Sequence, residues 1–159
     1  MIRLLCFAAA MVLTGTFAAP SARAEDMTGT WLTAEGEAHI KLAKCSSKIC
    51  ATIIWIKNPV DAKTGKPPVD DKNPDATKRG RKIVGMRIFA MEQDATGSWT
   101  GSIYNADDGL TYKGRLAPRG DDELEVQGCS EKNLCGSEVL TRVKEDAPAS
   151  QAQSTQNKK

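Results

Sequence analysis

From residue 28 to residue 143 the chain is a succession of short runs in which apolar and polar residues alternate, each closed by Gly, Pro, Asn or Asp. Successive side chains on a β-strand point to opposite faces, so a period of two marks a half-buried strand. A helix would instead repeat its apolar residues three and four apart. That helical pattern is nearly absent. Eight runs fit the strand pattern: 28–33, 37–44, 50–57, 82–92, 98–105, 110–117, 122–128 and 134–143. Most are joined by short turns, which predicts an all-β, antiparallel up-and-down meander. Closing it into a barrel of about eight strands would remove the exposed edges.

The alternation assigns faces. Val84, Met86, Ile88 and Ala90 share one, as do Trp99, Gly101 and Ile103. Leu110, Tyr112, Gly114 and Leu116 share another, and so do Leu124, Val126 and Gly128. Gly101, Gly114 and Gly128 thus fall on apolar faces, where glycine marks a bend, a bulge or a close backbone approach. An inward glycine also leaves volume for a ligand, but bends are the stronger reading. A continuous cavity opening near residues 58–81 would favour a ligand inside, and an interior packed solid by Trp55, Trp99, Met86 and Ile103 would speak against one.

The ends of the chain read differently. Met1-Ile2-Arg3, the apolar run Leu4 to Ala19 and the small-x-small Ala22-Arg23-Ala24 form the pattern of a secretory signal peptide, with cleavage expected after Ala24. The apolar run is shorter than the roughly 20 residues that span a bilayer, and no later stretch approaches that length. Residues 145–159 lack any large apolar side chain and are expected to be a disordered tail. One domain is therefore expected over residues 25–144.

Removing residues 1–24 takes away Arg3 and Arg23 but no acid, leaving 20 basic against 20 acidic side chains. A formally neutral chain argues against nucleic acid as a partner. Cys45, Cys50, Cys129 and Cys135 survive cleavage, and an even number in an exported chain points to disulfides in the periplasm or outside the cell. Four cysteines allow three connectivities. The local pairs Cys45–Cys50 and Cys129–Cys135 are the expected ones, because each would staple a turn between strands. A zinc site is disfavoured: His39 is the sole histidine and neither pair has a two-residue spacing.

One connection breaks the meander. Residues 58–81 hold four prolines, two glycines and many charges without any buried-face pattern. A structureless loop of that length is uncommon within a compact domain and is often a lid or binding loop. Its Arg79 and Arg81 suit a carboxylate or phosphate. The other dense polar stretch is YNADDGLTYKG, Tyr104 to Gly114. Asn105, Asp107, Asp108 and the Gly109 carbonyl offer oxygen ligands, but neither the spacing nor a closing glutamate matches a calcium loop. Asp108-Gly109 between two alternating runs is instead a hairpin turn signal. It would bring Tyr104 and Tyr112 close on neighbouring strands, with Asn105 turned toward Asn73 and Arg81 of the long loop.

Several fragments in order resemble the bacterial family known as domain of unknown function 2147: GTWLTAEG, KCSSKICATIIWI, the spaced set Asp70, Asn73, Pro74, Asp75, Arg79, Arg81 and Gly85, the stretch Trp99 to Tyr112, and a closing GC…LC…TRV. Two positions depart from the family pattern, Ala106 where proline is usual and Leu140 where tryptophan is usual. The resemblance implies an exported, lipocalin-like or calycin-like barrel without a settled activity. Gly29-Thr30-Trp31 also resembles the Gly-x-Trp opening of lipocalin-type barrels, which implies that Arg142 packs over Trp31 and closes one end.

Catalysis is not expected. No serine or cysteine stands in a nucleophile pattern, and the loop aspartates Asp70, Asp71, Asp75, Asp107 and Asp108 read as solvated. No cofactor or metal is called for. The leading reading is a barrel that binds a small anionic or amphipathic molecule in or at its mouth, through Asp70, Asn73, Arg79, Arg81, Tyr104, Asn105 and Tyr112. The alternative is a protein-interaction or envelope-structural module, such as an inhibitor, with a filled barrel. Few aromatics for a roomy calyx, three Trp, two Tyr and Phe89 once residues 1–24 are removed, keep both readings open.

Overall fold

The computed structural model describes residues 26–62 and 64–144; the signal peptide assigned to 1–24 and the tail assigned to 145–159 lie outside the described residues. Eight strands run β1 Gly29–Leu32, β2 Ala38–Cys45, β3 Lys48–Ile56, β4 Arg87–Gln93, β5 Trp99–Asn105, β6 Leu110–Pro118, β7 Glu123–Cys129 and β8 Cys135–Arg142. Each pairs antiparallel with the next, and β8 returns to β1, so the sheet is a closed up-and-down barrel. Antiparallel order puts the turns alternately at the two ends. The β1–β2, β5–β6 and β7–β8 turns share one end with the long β3–β4 connection.

The core is a single apolar cluster. Trp31, Leu42, Met91, Leu116 and Leu124 are almost completely buried, and Leu140 stands opposite Leu124 at 3% exposure. Ala106 packs against the same cluster. Removing one such large side chain typically costs about 2–5 kcal/mol, so these residues carry much of the stability.

Gly101, Gly114, Gly128 and Gly136 are register partners, forming a row across β5, β6, β7 and β8. A Cβ on Gly114 would collide with the Ile103 and Met91 side chains, and one on Gly101 would lie 2.9 Å from the Ala90 carbonyl oxygen. The space left at these two glycines is therefore occupied by Ile103 and Met91 and holds no room for a ligand.

Two β-bulges correct the face assignments. Ile40 pairs with Ile53 but His39 pairs with Trp55, so Ile54 is an extra residue on β3. Ala51 pairs with Phe89 but Thr52 pairs with Arg87, so Ile88 is an extra residue on β4. An extra residue exchanges the faces beyond it. Hence Met86 is buried as the alternation predicts, but Phe89 and Met91, not Ile88 and Ala90, continue into the core, and Val84 is 43% exposed. The expected strand 82–92 starts only at Arg87. Trp55 takes no part in filling the interior: it pairs with His39 and is 41% exposed on the outer wall.

Both disulfides take the local pairing, Cys45–Cys50 across the β2–β3 hairpin and Cys129–Cys135 across the β7–β8 hairpin. At the end away from the long loop, Arg142 lies over Trp31 with its guanidinium carbon 4.2 Å from the ring centroid. Its nitrogens donate to the carbonyls of Asp121, Thr28 and Asp26 at 2.7, 2.8 and 2.7 Å, while the Trp31 indole N–H donates to Met27 O at 3.0 Å.

Candidate functional site

The long connection is folded, unlike the structureless insert its composition suggests. Val69 and Lys82 form an isolated antiparallel bridge, the Asp70 N–H donates to Arg81 O at 2.9 Å, and a short 3-10 helix spans Ala76–Lys78. Asp75 caps that helix by accepting from the Thr77 N–H at 3.0 Å. The stem of the loop is thereby a small hairpin, whose two sides bring Asp70 and Arg81 together although they are eleven positions apart.

Asp70 is the centre. It is 0% exposed, the one fully buried charged side chain among the described residues, and it accepts three side-chain hydrogen bonds. Tyr104 Oη donates to Oδ1 at 2.5 Å, Asn73 Nδ2 donates to Oδ2 at 2.7 Å, and Arg81 Nη2 donates to Oδ2 at 2.7 Å. Asn73, itself 5% exposed, also donates to Tyr104 Oη at 3.0 Å. Burial works against the Asp70 charge, but the bonds from Tyr104, Arg81 and Asn73 outweigh it and hold the carboxyl below its ordinary range. Burial and the neighbouring Asp70 carboxylate together push the Tyr104 phenol up.

Both arginines hang on this cradle. Arg81 also reaches Met86 Sδ at 3.8 Å, and Arg79 Nε donates to the Asn73 carbonyl at 2.7 Å. Both arginines are exposed as residues beyond these contacts. Each is thus held through one nitrogen in an exposed position, and a guanidinium is a donor suited to a carboxylate or phosphate.

A latch joins the loop to the β5–β6 turn. Lys72 Nζ donates to the Asp107 carbonyl, and a Cβ on Gly109 would overlap the Lys72 carbonyl. Gly109 is also at φ +74°, a conformation that glycine adopts cheaply. Asp108 is turn chemistry: Oδ1 accepts from the Leu110 N–H at 2.8 Å, and Oδ2 accepts from Tyr112 Oη at 2.5 Å and Asn105 Nδ2 at 3.1 Å. Burial opposes the Asp108 charge; these donors prevail and keep its carboxyl low.

Of the sequence-derived candidates, Asp70, Asn73, Arg79, Arg81 and Tyr104 come together. Asn105 does not turn toward the loop as expected; its amide serves Asp108, and Tyr104 is the residue that meets Asn73 and Asp70. The register pairs Tyr104 with Thr111 and Tyr112 with Ile103, so the two tyrosines leave opposite faces and belong to separate clusters. Ile103 fills the Gly114 site inside the barrel, while Tyr104 packs against the core cluster and is met by Asp70 and Asn73 of the loop. Lys72 and Met86 complete the cluster and carried no signal as site residues, because both act through contacts made across the fold. Among the described residues no group of three His, Cys, Asp or Glu side chains is placed to hold a metal ion, and no helix is long and apolar enough to cross a membrane.

A closed eight-stranded up-and-down barrel with an arginine over the first-strand tryptophan is a lipocalin-like barrel. The chain belongs to the family described as an uncharacterized protein conserved in bacteria, domain of unknown function 2147, which it matches over residues 29–142. Among solved structures it is similar to protein HP1028 from the human pathogen Helicobacter pylori, described as belonging to the lipocalin family. That likeness has a TM-score of 0.62 at 21% identity, covering 76% of this chain and 85% of the other, and establishes the fold. No curated protein sequence matches the chain.

Proposed function

We propose that this protein is an exported, non-enzymatic barrel that binds a small anionic or amphipathic molecule at its loop-bearing mouth. The observation that carries the reading is the pair Arg79 and Arg81, both exposed residues and each tethered to the buried Asp70–Asn73 cradle. Holding a side chain in place beforehand lowers the ordering cost of binding, which is why a buried cradle behind a half-exposed arginine favours a site over a solvated charge. The lipocalin-like fold supports a small-molecule ligand. The buried core side chains and the filled space at Gly101 and Gly114 are the reason for proposing the mouth rather than the calyx. Export is supported by the signal-peptide pattern and by two disulfides.

The test is native mass spectrometry of protein purified from the periplasm, with isothermal titration of inorganic phosphate, citrate and dodecanoate. A co-purifying anion, and an affinity that drops about tenfold on Arg79→Gln, would support the reading. No co-purifying molecule and no heat with any of the three would instead favour the second reading, an interaction module built on a filled barrel. That alternative rests on the almost complete burial of Trp31, Leu42, Met91, Leu116 and Leu124.

A further inference from the structure

Exposed apolar side chains and unbalanced charge fall on the same stretch of this chain. Among the described residues seven large apolar side chains are exposed, and five of them, Ile54, Trp55, Val60, Val69 and Val84, lie from the end of β3 to the start of β4. Residues 57–87 also hold nine basic side chains against four acidic ones, although the chain from residue 25 onward is balanced. Two of those acids are paired within the segment, Asp70 with Arg81 at 2.7 Å and Asp75 with Lys78 at 2.8 Å.

The backbone brings part of this segment onto the outer wall of β2 and β3. Lys41, Thr52 and Arg87 are register partners across β2, β3 and β4. Next to them the Ile53 N–H donates to Met86 O at 3.0 Å and the Gly85 N–H donates to Ile53 O at 2.7 Å, so the chain ahead of β4 runs alongside Ile54. Trp55 follows, its ring 4.6 Å from that of its register partner His39. Burial gives the direction of the side chains. Leu42, Ile53 and Met86 are buried, while their neighbours Lys41, Ile54 and Arg87 are exposed. Ile83 packs on the core, while Lys82 and Val84 on either side of it are exposed. The acid beyond this wall, Glu37, is paired with Lys57 at 2.7 Å.

We infer that this wall is a docking surface for an anionic lipid bilayer, on which the protein sits peripherally. An indole suits the boundary between headgroups and acyl chains, where one end of the ring is wet and the rest apolar. Ile54 and Val84 add apolar surface to bury, and Lys41, Lys82 and Arg87 are the cations that meet headgroup phosphates around them. The interleaving of apolar and cationic side chains selects this occupant. A protein partner is met by an apolar centre depleted of charge. A fluid headgroup layer accepts both kinds side by side. Nucleic acid would use the cations but leave Ile54, Trp55 and Val84 in water. The patch shares no residue with the Arg79–Arg81 mouth, so the two readings stand or fall separately.

The experiment sediments the mature protein with vesicles of phosphatidylcholine alone, or of phosphatidylcholine with about one quarter phosphatidylglycerol. Binding to the anionic vesicles is expected, weakening about tenfold or more as salt rises from about 0.05 to 0.5 M. Trp55→Ala, and separately the double variant Lys82→Gln with Arg87→Gln, should each weaken it about tenfold. Trp31 is buried and Trp99 partly so, and a blue shift of emission on binding therefore reports mainly on Trp55. Trp55→Phe should lose that shift and keep part of the affinity. Circular dichroism checks that each variant is folded. The inference is overturned if anionic vesicles at about 5 mM lipid bind no protein, if neutral vesicles bind it equally well, or if Trp55→Ala binds as the parent does. Binding abolished by Arg79→Gln alone would place the lipid in the mouth and overturn it too. So would a parent dimer that Trp55→Ala dissociates, because a second copy then covers this wall.

Discussion

Asp70 shows how a single buried carboxylate can organise a loop. Its two oxygens take a phenol, an amide and a guanidinium, and no buried side-chain polar atom among the described residues lacks a partner. Substituting Tyr104→Phe leaves Asp70 one donor short and is expected to cost about 1–3 kcal/mol. Asp70→Ala strands Tyr104 and Asn73 as well and should cost about 3 kcal/mol or more. Chemical denaturation of the two variants checks both values. The pH dependence follows from the directions of the shifts. The Asp70 carboxyl is lowered in the fold, so its contribution is complete above the ordinary carboxylate value near 3.8 and is lost as pH falls through the lowered value. The Tyr104 phenol is raised, so its contribution is complete below about pH 10 and is lost as pH climbs through the raised value. The parent should therefore lose stability at both extremes, and Asp70→Asn should flatten the acid limb when melting temperature is followed from pH 2 to 5. An acid limb unchanged by Asp70→Asn would place that loss in other carboxylates.

At the scale of elements, what the sequence reveals depends on whether the strand pattern is uninterrupted. β5, β6 and β7 alternate without a break, and the faces read from Trp99, Leu116 and Leu124 are those found. β3 and β4 each carry one extra residue, Ile54 and Ile88, and these β-branched side chains look like any strand residue, so the exchange of faces cannot be seen locally. The loop was legible by its length and its charges but not by its fold, since the donors that satisfy Asp70 include Tyr104 on β5, far away in sequence. The glycine row is of the same kind: its members are evident, and their meaning comes from what lies across from them. Gly114 faces Ile103 and Met91, while Gly136 faces open space. Gly114→Ala is thus expected to overpack the barrel and destabilise by about 1–3 kcal/mol, whereas Gly136→Ala should change stability by less than about 0.5 kcal/mol. Equal losses in a urea titration would contradict the packing argument.

For the whole molecule the critical question is closure. Seven of the eight seams are ladders of four or more register pairs, but β1 and β8 meet at just two, Trp31 with Arg142 and Leu32 with Thr141. Beyond them the β8 residues 135–140 have no β1 partner, and Glu138 reaches across to accept the Ala34 N–H at 2.8 Å. A charged side chain on an open edge discourages pairing with other chains. The short seam is held by Arg142, whose fork ties the start of β1, at Asp26 and Thr28, to Asp121 in the β6–β7 turn, while its plane covers Trp31. The two disulfides lie within hairpins and do nothing to close this seam. Arg142→Ala should therefore open the barrel locally: about 2–4 kcal/mol is lost, combining the cation–π contact with three charge-assisted bonds. Hydrogen exchange of the β1 and β8 amides should speed up well before that of β5 and β6, and Trp31 emission should shift to the red. Arg142→Lys tests which property matters. Lysine keeps the charge but has no planar fork to bond three carbonyls and lie flat on an indole at once. If the fork is what closes the barrel, lysine should recover less than half of the loss; full recovery would mean that charge alone holds the seam.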